Sequence, residues 1–143
     1  MALSNLIACE CITGQSDTHL TDIQNHRLHS KIIDDFLALQ NAAKNAGFNL
    51  TIASSFRDFD RQSMIWNNKF SGSRPVYNKQ QQPVDLTKLT DINKCIAIMR
   101  YSALPGASRH HLGTDLDIFD KAAVNDDYKL QLTPNEYEQG GPF

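Results

Sequence analysis

Ten residues in the second half of the chain, Ser108-Arg109-His110-His111-Leu112-Gly113-Thr114-Asp115-Leu116-Asp117, gather a hydroxyl, two imidazoles and two carboxylates just after a Pro105-Gly106 turn. Neutral imidazole nitrogen with carboxylate oxygen is a common donor set for Zn²⁺. His110 and Asp117 stand seven apart. In an extended strand that odd offset puts them on opposite faces, more than about 20 Å apart at roughly 3.3 Å per residue. Sharing an ion therefore requires the chain to fold back between them, and Gly113 is the residue that permits it. Spacing alone leaves a plainer reading open, a polar turn with a His–Asp hydrogen bond and no metal.

A second block, Thr51-Ile52-Ala53-Ser54-Ser55-Phe56-Arg57-Asp58-Phe59-Asp60-Arg61-Gln62, places an arginine between two predicted elements. Phe48 to Ser54 alternates apolar and small residues like a short strand, and Asp58 is placed to cap a helix carrying Gln62, Ile65 and Trp66. A guanidinium at such a junction offers a fork of donors to a carboxylate or a developing oxyanion. The competing reading is a surface salt bridge to Asp58 or Asp60.

The two blocks together resemble the VanY-type D-alanyl-D-alanine carboxypeptidases, zinc peptidases of the wider LAS group. Ser108, His110, Gly113 and Asp117 match the family's Ser-x-His-x-x-Gly-x-(Ala/Asp)-x-Asp pattern, and the Arg57 block is similar to its Ser-x-(Tyr/Phe)-Arg-x-x-x-x-Gln segment. The likeness runs from about Leu20 to the end. It implies that His110 and Asp117 are two of three protein zinc ligands and that Arg57 contacts substrate and stabilises the transition state. It also implies that Ser108, Gln62 and Asp115 belong to the substrate-binding set, on a peptide ending in D-Ala-D-Ala. His111 falls on a variable position of the pattern and receives no role. His110 and Asp117 are expected to converge on one point, with Arg57 facing it.

The family completes its site with a Glu-x-x-His element that supplies the general base and the third ligand. The glutamates here are Glu10, Glu136 and Glu138, and none is followed by histidine at that spacing. The expectation is a single peptidase-like α+β domain over residues 1–143. The resemblance implies a Hedgehog/D,D-peptidase-like small antiparallel sheet flanked by helices, lacking its C-terminal elements. A rival reading is a non-catalytic module of the same fold that binds wall peptides or a protein partner.

A net charge of −2 without any block of like charges argues against an electrostatic nucleic-acid surface. Cys9, Cys11 and Cys95 are odd in number, and the first two are too close for an ordinary disulfide, so free thiols in a reducing compartment are expected. Leu3, Leu6 and Ile7 lack a basic flank, Glu10 interrupts the run, and no stretch reaches the about 20 apolar residues of a membrane helix. As sequenced the chain reads as cytoplasmic, although the family's substrates lie in the cell wall.

Three helices are expected to position these blocks. Ser30 caps the first, which carries Ile32, Ile33, Phe36, Leu37 and Ala43 and closes at Gly47. The second runs from Asp58 to Asn68. Residues 69–83 form a polar loop or loose hairpin. The third begins near Thr90 or Asp91, with Ile92, Cys95, Ile96 and Met99 as a buried stripe. From Thr114 to Phe119 a strand turns Leu116 and Ile118 one way and Asp115 and Asp117 the other. His19, His26 and His29 fall in a polar segment and read as solvated.

Overall fold

The computed structural model describes residues 9–143. The apolar start, with the export reading that rests on it, lies outside the described residues, as does the Cys9 side chain. No helix among the described residues is long and apolar enough to cross a membrane. Helices and two-stranded antiparallel sheets make this an α+β chain. It divides into two compact units: one joins the segment up to Thr18 to Arg57–Leu112, and the other joins His19–Phe56 to Gly113–Phe143.

In the first unit a short helix α1 (Cys9–Thr13) precedes the two longer helices. Helix α2 (Phe59–Phe70) starts where expected, because Asp58 Oδ1 accepts the Arg61 N–H at 2.7 Å. Helix α3 (Asp91–Met99) is capped by Thr90, whose hydroxyl accepts the Asn93 N–H at 3.3 Å. Between them the chain makes the loose hairpin, with Tyr77 bridged to Pro83. Asn78 Oδ1 takes the N–H groups of Gln80 and Gln82, each at 2.9 Å, and Gln81 adopts a left-handed φ of 60°. A side-chain acceptor thus organises a turn that has no glycine. Trp66, Val76 and Ile98 form the core of this unit, with Phe70, Leu86, Cys95 and Ala97 packed on it. Cys11 is buried, and both Cys11 and Cys95 are free thiols.

The expected stripe on α3 is wrong. Ile92 is 73% exposed, Ile96 53% and Met99 47%, whereas Ile98 is 1% exposed. Nearly every residue from Cys95 to Met99 is apolar, so periodicity does not select a face, and packing against Trp66 and Val76 turns the Cys95–Ile98 side inward.

In the second unit β1 (Leu20–Ile23) and β2 (His26–His29) form an antiparallel hairpin, Leu20 opposite His29. The segment read as polar and solvated is therefore a hairpin, turned by Gln24 and Asn25 at φ 49° and 63°. Both ring nitrogens of His19 are shut off from solvent, and its ring lies 5.3 Å from that of His29. His29 Nδ1 accepts the Lys31 N–H at 3.1 Å, so this imidazole, and not Ser30, caps the turn Ser30–Ile32. The helix Ile33–Asn45 follows and is closed just beyond its end by Gly47, whose N–H reaches Lys44 O at 3.1 Å. Strand β3 (Leu50–Ser54) pairs antiparallel with β4 (Asp117–Asp120), with a bulge between Ile52 and Ser54. Leu28, Phe36 and Ile52 make the core, and Leu116 and Ile118 pack onto it as the alternation required.

The last segment is tied down by Glu136. Burial alone pushes its carboxyl up. Hydrogen bonds from the Tyr128 hydroxyl and the N–H groups of Gln131, Thr133 and Leu132 outweigh that and hold it below its ordinary 4.5. Asp120 N–H donates to Pro142 O at 2.8 Å, and Phe143 stacks on Tyr137 at 4.5 Å.

Ile98→Ala should destabilise the protein by about 2–5 kcal/mol in urea unfolding, while Ile92→Ser should stay within about 0.5 kcal/mol. A large effect at Ile92 would mean that its face is covered. Because the folded Glu136 carboxyl is depressed, its contribution is present above the unfolded value and is lost as pH falls through the folded one. The stability difference between wild type and Glu136→Gln should therefore shrink on acidification below about pH 4.5; a difference that stays constant would contradict this.

Candidate functional site

In the first unit Arg57 is fixed at both ends. Its N–H donates to His110 O at 3.1 Å, and its carbonyl accepts from His111 Nδ1 at 2.6 Å. Its Nη1 donates to Gln62 Oε1 at 2.9 Å, and Gln62 Nε2 donates to Ala103 O at 2.6 Å. Gln62 has no exposed surface. Its amide faces Arg57 from the first turns of α2, five residues along, so the Arg-x-x-x-x-Gln spacing is the spacing of a side-chain brace.

His111 has no exposed surface either. Its Nε2 accepts the Gly106 N–H at 3.0 Å, so Nδ1 carries the proton given to Arg57 O. One imidazole thus joins the Pro105-Gly106 turn to Arg57. Gly14 packs directly on the ring: at φ +77° a Cβ there would overlap His111 Nδ1 and lie 2.9 Å from Phe59 N. Its carbonyl accepts the Phe59 N–H at 2.9 Å. Ser108 is buried, and its carbonyl accepts the His111 N–H at 3.1 Å, which coils Arg109–Leu112 into a 3₁₀ turn. His110 sits partly exposed in that turn.

The second unit holds the carboxylates. Asp117 opens β4 opposite Ser54, just past the bulge, and Asp115 lies two residues earlier, partly exposed. Gly113 has φ +74°, its carbonyl accepts the His29 N–H at 2.8 Å, and a Cβ would come within 2.6 Å of Leu20 Cδ2. Only glycine fits so close a left-handed bend. Tyr137, given no role by the sequence reading, has its phenol pushed up by burial and then by the charges of Asp117 and Glu136.

Arg57, Gln62, Ser108 and His110 therefore belong to one unit, and Asp115 and Asp117 to the other. Among the described residues no group of three His, Cys, Asp or Glu side chains is placed to hold a metal. Glu136 is occupied by the hydrogen bonds of its own segment.

Replacing His111 by Phe should destabilise the fold by about 1–3 kcal/mol for each buried group left unpaired, Arg57 O and Gly106 N–H. Gly14→Ala should also destabilise, through overlap and a strained φ. Thermal unfolding of both variants checks this, and wild-type stability in either would show that the imidazole is not wedged as described.

Comparison with known proteins bears on what these two blocks belong to. The profile of the VanY D-alanyl-D-alanine carboxypeptidase family matches residues 25–140. A Haemophilus influenzae protein is 47% identical over 100 residues, which cover 66% of this chain and 68% of that protein. The solved structure of VanYB in complex with D-alanine-D-alanine aligns with a TM-score of 0.58 at 25% identity, covering 86% of this chain and 59% of VanYB. A vancomycin-resistance D,D-pentapeptidase VanY in complex with Zn(II) aligns with a TM-score of 0.55 at 24% identity, covering 71% and 52%. The chain thus spans little more than half the length of these two solved proteins. With 116 of its 143 residues inside the family profile (25 to 140 inclusive), the chain belongs to the VanY D-alanyl-D-alanine carboxypeptidase family.

Proposed function

We propose that the chain serves D-alanyl-D-alanine carboxypeptidase chemistry on peptidoglycan-type peptides, with His110 and Asp117 as two protein ligands of a catalytic Zn²⁺. The observation that carries this reading is the braced Arg57: a guanidinium held by Gln62, on a backbone clamped by the turn that contains His110. Support comes from the family and from the two solved relatives, one bound to D-alanine-D-alanine and the other to Zn(II).

His110 and Asp117 are of the right donor types for zinc. Their number falls short. Catalytic zinc sites take three protein ligands plus water, and the described residues gather no such group. The described residues do not make a complete zinc site, and the sequence contains no Glu-x-x-His. What the chain's own residues do is bind and orient. Arg57 presents its guanidinium to a peptide carbonyl or carboxylate. Gln62, whose amide oxygen and nitrogen are taken by Arg57 and Ala103, acts through Arg57 rather than on the peptide. Ser108 and Asp115 supply polar contacts to the peptide. A second reading is a wall-peptide or partner-binding module of the same fold that does not hydrolyse.

The two readings separate when peptide binding, zinc content and D-Ala release are measured on the same preparations. One preparation is the 143-residue chain, and the other is the chain extended with a Glu-x-x-His segment. The chain itself should bind a D-Ala-D-Ala peptide and retain well under one equivalent of zinc. It should release D-Ala some 10²–10⁴-fold more slowly than the extended form, the cost of a missing general base. Arg57→Ala should weaken peptide binding on the order of tenfold. No release by the extended form would leave the binding module standing. No peptide binding by either form would remove both readings, and full zinc with turnover by the unextended chain would refute the assigned ligand set.

A further inference from the structure

Tyr137 is an aromatic side chain that none of these roles uses. Successive side chains of β4 alternate between faces, so Asp117 and Phe119 share one face, about 7 Å apart along the strand. Ile118 points the other way, onto the core. Phe143 lies over Phe119 with ring centroids 6.5 Å apart, and Tyr137 stacks on Phe143 at 4.5 Å with 19° between the rings. The three rings therefore build outward from the face of β4 that carries Asp117, and the charge of Asp117 reaches the phenol. Tyr137 is 56% exposed.

A single exposed aromatic ring is ordinary on a protein surface. This one is held unusually firmly. It closes the short turn Pro134–Tyr137, and the buried Glu136 carboxylate takes the Tyr128 hydroxyl at 2.7 Å, the Gln131 N–H at 3.0 Å and the Thr133 N–H at 3.2 Å. The Phe143 N–H returns to Glu136 O at 3.2 Å, and Gly141 passes so close that a Cβ there would overlap the same carbonyl. Pro142 O accepts the Asp120 N–H, which ties this clasp to β4. A ring fixed before a ligand arrives offers a flat apolar surface that needs little further ordering.

The peptide of the proposed function has a use for such a surface. An acylated D-Ala-D-Ala carries amides, a carboxylate and two methyl side chains. Arg57, Ser108 and Asp115, the residues assigned to the peptide, are all polar. They address the amides and the carboxylate, which glycine analogues share, and none of them offers an apolar wall to a methyl.

We propose that the Tyr137 ring is a specificity-determining contact that receives a D-alanine methyl of the peptide bound beside Asp117. This rests on the reading that the chain binds such peptides. The peptide has two such methyls, and the ligands below distinguish them.

The test is an NMR titration of the full 143-residue chain as wild type, Tyr137→Phe and Tyr137→Ala. The ligands are N-acetyl-D-Ala-D-Ala and the two analogues that each lack one methyl, N-acetyl-Gly-D-Ala and N-acetyl-D-Ala-Gly. Wild type should bind one analogue about fourfold more weakly than the parent, the effect of burying one methyl. Tyr137→Phe should keep that ratio, and Tyr137→Ala should erase most of it. A ring that only covers Phe143 would instead lower the Tm of Tyr137→Ala and leave the ratio unchanged. That result overturns the proposal, as does equal binding of all three ligands by wild type. A ratio lost equally in Tyr137→Phe would assign the effect to the hydroxyl and also overturn it. Should Tyr137→Ala fail to fold, wild type decides alone: NOEs should join a peptide methyl to the Tyr137 ring protons, and a bound peptide showing none contradicts the proposal. Binding with an unchanged ratio removes this proposal and leaves the peptide reading in place, whereas failure of wild type to bind any of the three removes both.

Discussion

Both backbone groups of Arg57 are engaged by a single 3₁₀ turn: the N–H by His110 O, and the carbonyl by the ring of His111. The guanidinium is engaged separately, by an amide that is itself anchored on Ala103. An arginine side chain carries about 2 kcal/mol of rotamer entropy, and a flexible one spends part of any ligand's affinity on being ordered. Here the ordering is done by the fold. The arrangement also ties Arg57 to the 109–112 turn, because His110 and His111 cannot shift without moving Arg57. Gly14 extends this to the amino-terminal helix, since its lack of a side chain lets the chain lie against the His111 ring.

In the first unit the Lys69 ammonium donates to Ser102, next to the Ala103 carbonyl that anchors Gln62; the second carries Asp115, Asp117 and Glu136, and the Tyr137 phenol is pushed up by burial and then by the charges of Asp117 and Glu136. Glu136 looks like a candidate base by type alone, but its carboxylate is saturated by donors from its own segment and works as a capping device. Among the described residues the zinc donor types are present, but no group of three such side chains is gathered.

What the sequence made legible were features whose cause is local. Asp58 and Thr90 cap helices because a side-chain oxygen meets an N–H three residues on. Gly113 bends where the motif needs it, and the alternation of Leu116 and Ile118 points into a core. What stayed hidden has distant causes. His111 sits at a variable position of the motif, and its partners come from residues 57 and 106, which no local pattern connects. The face buried by α3 depends on where Trp66 and Val76 lie, and its apolar residues run all the way round. The histidine hairpin was missed because strands of four residues with polar outer faces carry little periodic signal.

On the function proposed above, the braced Arg57 and the adjoining His110 turn receive peptides ending in D-Ala-D-Ala. The most direct measurement follows the ¹⁵N resonances of the Arg57 side chain and the His110 ring while the chain is titrated with an acylated D-Ala-D-Ala peptide and, separately, with its L-Ala-L-Ala counterpart. The account predicts saturable shifts at Arg57 and His110 with the D,D peptide and a markedly weaker response to the L,L peptide. Shifts confined to other residues, or the same response to both peptides, would contradict it.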